Sequence, residues 1–113
     1  MTMESKVIAD KSLGDITAED TRVRFVGKVE KIDDIGMFDV SEGDKKVTCL
    51  PPVSVKPNIG KGDFVLVTGR VALGDSKEDF EVRTDSVRKI SGEERDNYNK
   101  YLKIRSELLN NGS

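Results

Sequence analysis

Between Thr21 and Ile90 apolar residues recur at every second position, and Gly, Asp and Pro clusters cut the alternating runs short. That period belongs to short antiparallel strands joined by turns, and five strands account for it. The first is expected over Arg22 to Ile32, with Val23, Phe25, Gly27 and Val29 on one face and Arg24, Val26, Lys28 and Glu30 on the other. Gly27 interrupts the apolar face, and a glycine there permits the coiling that a strand needs when it bends between two parts of a small closed barrel. A turn at Asp33-Asp34 leads into Ile35 to Ser41, and Glu42-Gly43-Asp44 closes a tight hairpin into Lys45 to Leu50. Pro51-Pro52 stops that strand because proline supplies no ladder N–H. The turn Gly60-Lys61-Gly62-Asp63 opens Phe64 to Ala72. A polar loop from Leu73 to Asp79 precedes the last strand, Phe80 to Arg83 and on to Ile90, with a bulge expected near Thr84-Asp85.

After Ile90 the period changes. Ser91-Gly92-Glu93-Glu94 offers a helix N-cap with acids in the first turn, where they meet the positive end of the helix dipole. The helix is expected from Glu93 to Leu109, with Tyr98, Tyr101, Leu102, Arg105, Leu108 and Leu109 in one stripe of a 3.6-residue repeat. Its length of about 25 Å exceeds what is needed to plug one end of a small barrel. The stripe is open to two readings: it folds back to complete the barrel core, or it docks a second subunit.

A chain of 113 residues has room for one domain. The expected organisation is a flexible arm at 1–12, a barrel at 13–90 and a helix with its tail at 91–113, and polar composition extends the expectation of disorder to about Asp20. With 35% apolar and 35% charged residues and few aromatics, the core must come mainly from Val, Ile and Leu. The lone Cys49 can make no internal disulfide, and its place in Val47-Thr48-Cys49-Leu50 suggests a buried strand thiol in a reducing compartment. No run approaches the roughly 20 apolar residues needed to cross a bilayer. An intracellular, cytoplasmic location is expected, associated with the nucleoid if the protein binds DNA.

The sequence contains no histidine, which removes Ser-His-Asp and Cys-His catalysis and histidine-based metal sites. The acid pairs Asp33-Asp34 and Glu78-Asp79 fall in polar loops, where they read as solvated turns. Gly60-Lys61-Gly62-Asp63 lacks the spacing and helix start of a phosphate loop and reads as a strand-entry turn. A binding module is expected, not an enzyme, with no cofactor and no metal. The net charge of −2 does not suit a strong non-specific DNA binder, but the acidity is concentrated in residues 1 to 20. What remains is a set of basic residues on outward strand positions, Arg24, Lys28, Lys46, Arg70 and Arg83, able either to pair with phosphates or to serve as solubilising charges. Phe25, Phe38, Phe64 and Phe80 all read as core residues.

The successions Thr21 to Val29, Met37 to Gly43 and Lys61 to Val71 resemble the oligonucleotide-binding (OB) domains of replication protein A and its archaeal relatives, over about residues 13 to 90. The fold implied is mainly β, a five-stranded OB barrel with a C-terminal amphipathic helix. The function implied is binding of single-stranded DNA, or RNA, in replication, repair or recombination. Family members bind in a groove over the second and third strands flanked by two loops, here about Asp33 to Gly36 and Leu73 to Asp79, which adds Met37 and Lys77 to the candidate nucleic-acid contacts. The family's exposed aromatics are missing, since the corresponding segments read Lys46-Thr48-Leu50 and Gly74-Asp75-Ser76-Lys77. A small OB domain ending in one amphipathic helix also resembles the smaller subunits of such complexes. This implies a scaffolding subunit that contacts other OB-fold subunits through Tyr98, Tyr101, Leu102, Arg105, Leu108 and Leu109.

Overall fold

A computed structural model of the chain describes residues 8–52, 58–74 and 80–111. Six strands and one long helix follow in chain order: β1 (Ala9–Asp10), a 3-10 turn (Leu13–Asp15), β2 (Arg22–Ile32), β3 (Phe38–Glu42), β4 (Lys45–Leu50), β5 (Phe64–Leu73), β6 (Phe80–Ile90) and α1 (Gly92–Asn111). The five strands read from the alternation are all present. The sheet order β1-β2-β3-β4-β6-β5 closes on itself because β2 also pairs with β5. All pairings within the barrel are antiparallel except β4 with β6. Among the described residues, closure leaves no long unpaired edge, and only the two-residue β1 adds to β2 from outside, in parallel.

One long strand serves two neighbours. The first part of β2, Arg22 to Lys28, pairs with β5, and the last part, Lys28 to Ile32, pairs with β3. Gly27 sits at this changeover. A Cβ there would lie 2.7 Å from the Ser41 carbonyl oxygen and against the Val40 side chain, so the absence of a side chain is what lets β3 come so close. The bulge expected near Thr84-Asp85 is also present: Gly69 faces Thr84 and Thr68 faces Ser86, which leaves Asp85 as the extra residue.

The inward positions form a small valine-rich core. Val23, Phe25, Val29, Phe38, Val40, Val47, Cys49, Val65, Val67 and Val82 are buried within it. Phe64 and Phe80, read as core residues, are only partly buried; Phe80 packs against the core cluster, and Phe64 lies under the Arg95 guanidinium, 4.5 Å from its ring centroid.

Two expectations need correction. The stretch 8–20, expected to be flexible, packs on the barrel. Leu13 and Ile16 are buried, Leu13 as part of the core cluster, and Lys11 closes the segment with a 2.7 Å ion pair to Asp20. Two apolar side chains in a polar stretch suffice to anchor it. The second strand of the alternation begins at Phe38 and not at Ile35, because the Asp33 carboxylate accepts the N–H groups of Ile35 and Met37 and holds residues 33–37 in a turn. Of the two readings left open for the α1 stripe, completion of the barrel core is not met, since no α1 residue belongs to the core cluster. The helix lies on the outer side of β2 and β5, joined to the barrel mainly by polar contacts. Its N-terminus is a capping box, in which Glu94 N–H donates to Ser91 Oγ at 3.1 Å and Ser91 N–H to Glu94 Oε1 at 3.3 Å. Among the described residues no helix is long and apolar enough to cross a membrane.

Candidate nucleic-acid and partner interfaces

The outward basic residues fall into separate groups. Lys28 on β2 and Lys46 on β4 both face Ser41, which stands between them on β3. Both lysines are exposed, and Ser41 Oγ donates to Glu30 Oε1 at 2.6 Å beside them. Further along this face, Thr48 Oγ1 donates to Asp39 Oδ1 at 2.8 Å. Met37 lines a shallow depression there with Lys31, Asp33, Asp39 and Thr48. The face over β3 and β4 thus carries two lysines at one end and an aspartate in its middle, with no aromatic side chain on either strand's outward positions.

Arg24 is engaged elsewhere. Its Nε and Nη2 donate to both carboxylate oxygens of Asp10, at 2.6 and 2.9 Å. Tyr98 on α1 caps this pair, its hydroxyl 2.8 Å from both Asp10 Oδ1 and the Arg24 carbonyl oxygen. Arg105, two turns further along α1, donates to the Asp10 carbonyl oxygen. The arrangement shifts all three titrating groups. The Arg24 guanidinium holds the Asp10 carboxyl below its ordinary value of 3.8 against the opposing effect of burial, with help from Tyr98. Arg24 is pushed up by its bond to Asp10, and Tyr98 is pushed up by burial and by the carboxylate beside it. Arg24 therefore acts as a clasp between β1, β2 and α1.

Arg70 and Arg83 form the second group, on β5 and β6, directly paired with each other and joined by Arg22 on β2. Arg22 was not singled out from the sequence, although it shares the outward parity of Arg24. Lys77 lies outside the described residues.

The stripe read on α1 also divides. Tyr98, Leu102 and Arg105 are half-buried on the barrel side, whereas Tyr101, Leu108 and Leu109 are exposed, at 50%, 67% and 69%. Ile104, missed in the sequence reading, is 46% exposed and completes a Tyr101, Ile104, Leu108 row at offsets of three and four. The Arg105 guanidinium lies 5.7 Å from the Tyr101 ring centroid. The second half of the helix stands off the barrel, leaving an open crevice of about 580 Å³ between Leu102, Arg105 and Leu109 on one side and Lys11, Ser12 and Asp15 on the other.

No protein-family model matches the chain, and no curated protein matches it in sequence. Solved structures do. The chain is similar to one in the Stn1-Ten1 complex of S. pombe, with 22% identity, a TM-score of 0.68 and coverage of 94% of this chain and 98% of that one. It is similar also to the telomere capping protein Ten1 reported from Saccharomyces pombe, with 23% identity, a TM-score of 0.64 and coverage of 87% and 96%. A third likeness is to an OBody bound to hen egg-white lysozyme, at 18% identity and a TM-score of 0.59, covering 72% of this chain and 90% of that one. Strand order, barrel closure and these likenesses agree on one architecture: the chain is an OB fold, a closed five-stranded barrel carrying one C-terminal helix.

Proposed function

We propose that the chain is a small OB-fold subunit of the replication protein A type, which joins a partner OB subunit through α1 and contributes to binding single-stranded DNA in a replication, repair or telomere-associated complex. The observation that carries this reading is the row Tyr101, Ile104 and Leu108, exposed along a helix whose adjoining side is pinned to the barrel through Tyr98 and Arg105. A helix that is held in place and presents large apolar side chains on its free side suits packing against a second helix or sheet. Two of the structural likenesses, to a chain of the Stn1-Ten1 complex and to the telomere capping protein Ten1, support assembly with a second subunit here.

The test is recovery of the tagged chain from its own cells, with and without Ile104→Asp and Leu108→Asp together. The expected result is a stable OB-fold partner for the parent, and a variant that melts like the parent but runs as a monomer. A partner set unchanged by the substitutions, or a parent that takes no OB-fold partner, overturns the proposal.

A second reading, a scaffold without nucleic-acid contact, is favoured by the face over β3 and β4. That face has the Asp39–Thr48 pair at its centre and no aromatic to stack on a base. It predicts no anisotropy change with labelled oligothymidine at low salt, from the chain alone or in its complex.

A further inference from the structure

Arg22, Arg70 and Arg83 stand side by side on the outer surface of three adjacent strands. Arg70 is the direct antiparallel partner of Arg22 in the β2–β5 ladder and of Arg83 in the β5–β6 ladder. The residues flanking them along the strands, Val23, Gly69, Val82 and Thr84, are buried inside the barrel, so all three guanidinium groups leave the same face. Directly paired side chains begin about 4.5–5.5 Å apart at Cβ, and like charges so placed oppose each other.

Little within the described residues offsets this repulsion. Asp85, the bulge residue, reaches Arg22 at 3.4 Å, and this is the one ion pair that the three arginines make there. Glu81, the other acid on this side of β6, pairs across to Thr48 and Ala72 in the ladders and forms no ion pair among the described residues. Arg70 and Arg83 are exposed. Next to the row, Thr68 and Ser86 face each other on the same surface and add two hydroxyl groups. On its other side, Arg83 adjoins Leu50 at the end of β4.

We infer that the phosphate backbone of a single-stranded nucleic acid crosses the barrel on this arginine row, over β2, β5 and β6, and not on the face of β3 and β4. A phosphodiester set between Arg70 and Arg83 takes paired N–H donors from each fork, with the hydroxyl groups of Thr68 and Ser86 beside it. An anion there also relieves the repulsion that the row carries when empty. The inference rests on the nucleic-acid part of the function proposed above.

The experiment is an anisotropy titration of fluorescein-labelled oligothymidine over a salt series. It compares the parent, Arg70→Ala with Arg83→Ala, Arg70→Lys with Arg83→Lys, and Lys28→Ala with Lys46→Ala. Each phosphate contact on a single strand contributes about 0.7 to the slope of log K against log salt. With the one phosphodiester between them released, the arginine-to-alanine pair is therefore expected to bind more weakly and to lose about 0.7 from the slope. It should melt no lower than the parent, which separates lost contacts from lost folding. The arginine-to-lysine pair should keep the slope and lose affinity, because a lysine cannot supply the fork. The Lys28 and Lys46 pair should stay near the parent. If the lysine pair loses the slope and the arginine pair keeps it, the strand runs over β3 and β4, and the site is wrong while the function stands. Absence of binding by the parent at low salt, alone and with its partner, overturns the nucleic-acid reading together with the site.

Discussion

Tyr98 and Asp10 are 88 residues apart in the chain, and the tyrosine hydroxyl lies 2.8 Å from the carboxylate. Through this contact the C-terminal helix is fastened to the shortest strand of the sheet. The same carboxylate receives both donors of Arg24 from β2, so one side chain on β1 ties three elements together.

Acid should loosen this junction. The Asp10 carboxyl is held below its ordinary value of 3.8, first by Arg24, so its ionised form favours the folded state. That contribution is complete above pH 3.8 and is lost as the pH falls toward the lowered folded-state value. Asp20 titrates in the same direction, because Lys11 and the Thr17 N–H outweigh the effect of burial. Asp10→Asn should therefore melt several degrees lower than the parent at pH 7, from a loss of about 1 kcal/mol with a partly exposed partner. Its acid limb should be flatter than the parent's. Thermal melts from pH 7 to pH 2 check both, and parallel acid limbs would contradict the role given to Asp10.

Barrel closure should depend on Gly69 as well as Gly27. A Cβ at Gly69 would lie 2.5 Å from the Arg83 carbonyl oxygen and 3.0 Å from its carbonyl carbon, and backbone atoms at the bulge have little room to yield. Gly69→Ala and Gly27→Ala are each expected to cost about 1–3 kcal/mol in urea unfolding. Gly60→Ala is the control, since its nearest contact would be the Asp63 carboxylate at 3.7 Å, and it should unfold with the parent.

The two sides of α1 should respond differently to truncation. Leu102 is half-buried against the barrel side, and Leu102→Ala should lower stability by about 2 kcal/mol, the low end for a leucine that is not fully enclosed. Leu108 is 67% exposed, and Leu108→Ala should change stability by no more than about 0.5 kcal/mol. Equal losses in calorimetry would mean that the exposed row also packs on the barrel.

The strands were readable because each turns valines and phenylalanines inward at every second residue, as Val23, Phe25 and Val29 do in β2. The bulge at Asp85 broke that rhythm visibly, and the capping box of α1 is local chemistry within four residues. Other features carry no such local sign. Two residues at β1 are too few to show a period, and Leu13 and Ile16 stand among polar neighbours. Whether Arg24 meets a phosphate or Asp10 depends on where β1 returns to the sheet. The row of Arg22, Arg70 and Arg83 depends on the register of two ladders. Alternation places a side chain outside the barrel, but only register says what stands beside it. The exposed row on α1 was half visible for a related reason: a 3.6-residue stripe shows an apolar side of a helix without showing how the helix is rotated against its neighbour.

Cys49 has no exposed surface, and burial, with Asp39 nearby, pushes its thiol up. It lies on β4, paired on one side with Phe38 of β3 and on the other with Val82 of β6. An alkylating reagent can reach this sulfur only when the barrel comes apart, so the rate of its modification in native buffer is a clock for that opening. A nucleic acid or a partner subunit that binds only the closed barrel must slow the clock in proportion to its occupancy. The one thiol of the chain can therefore report binding on surfaces it never touches.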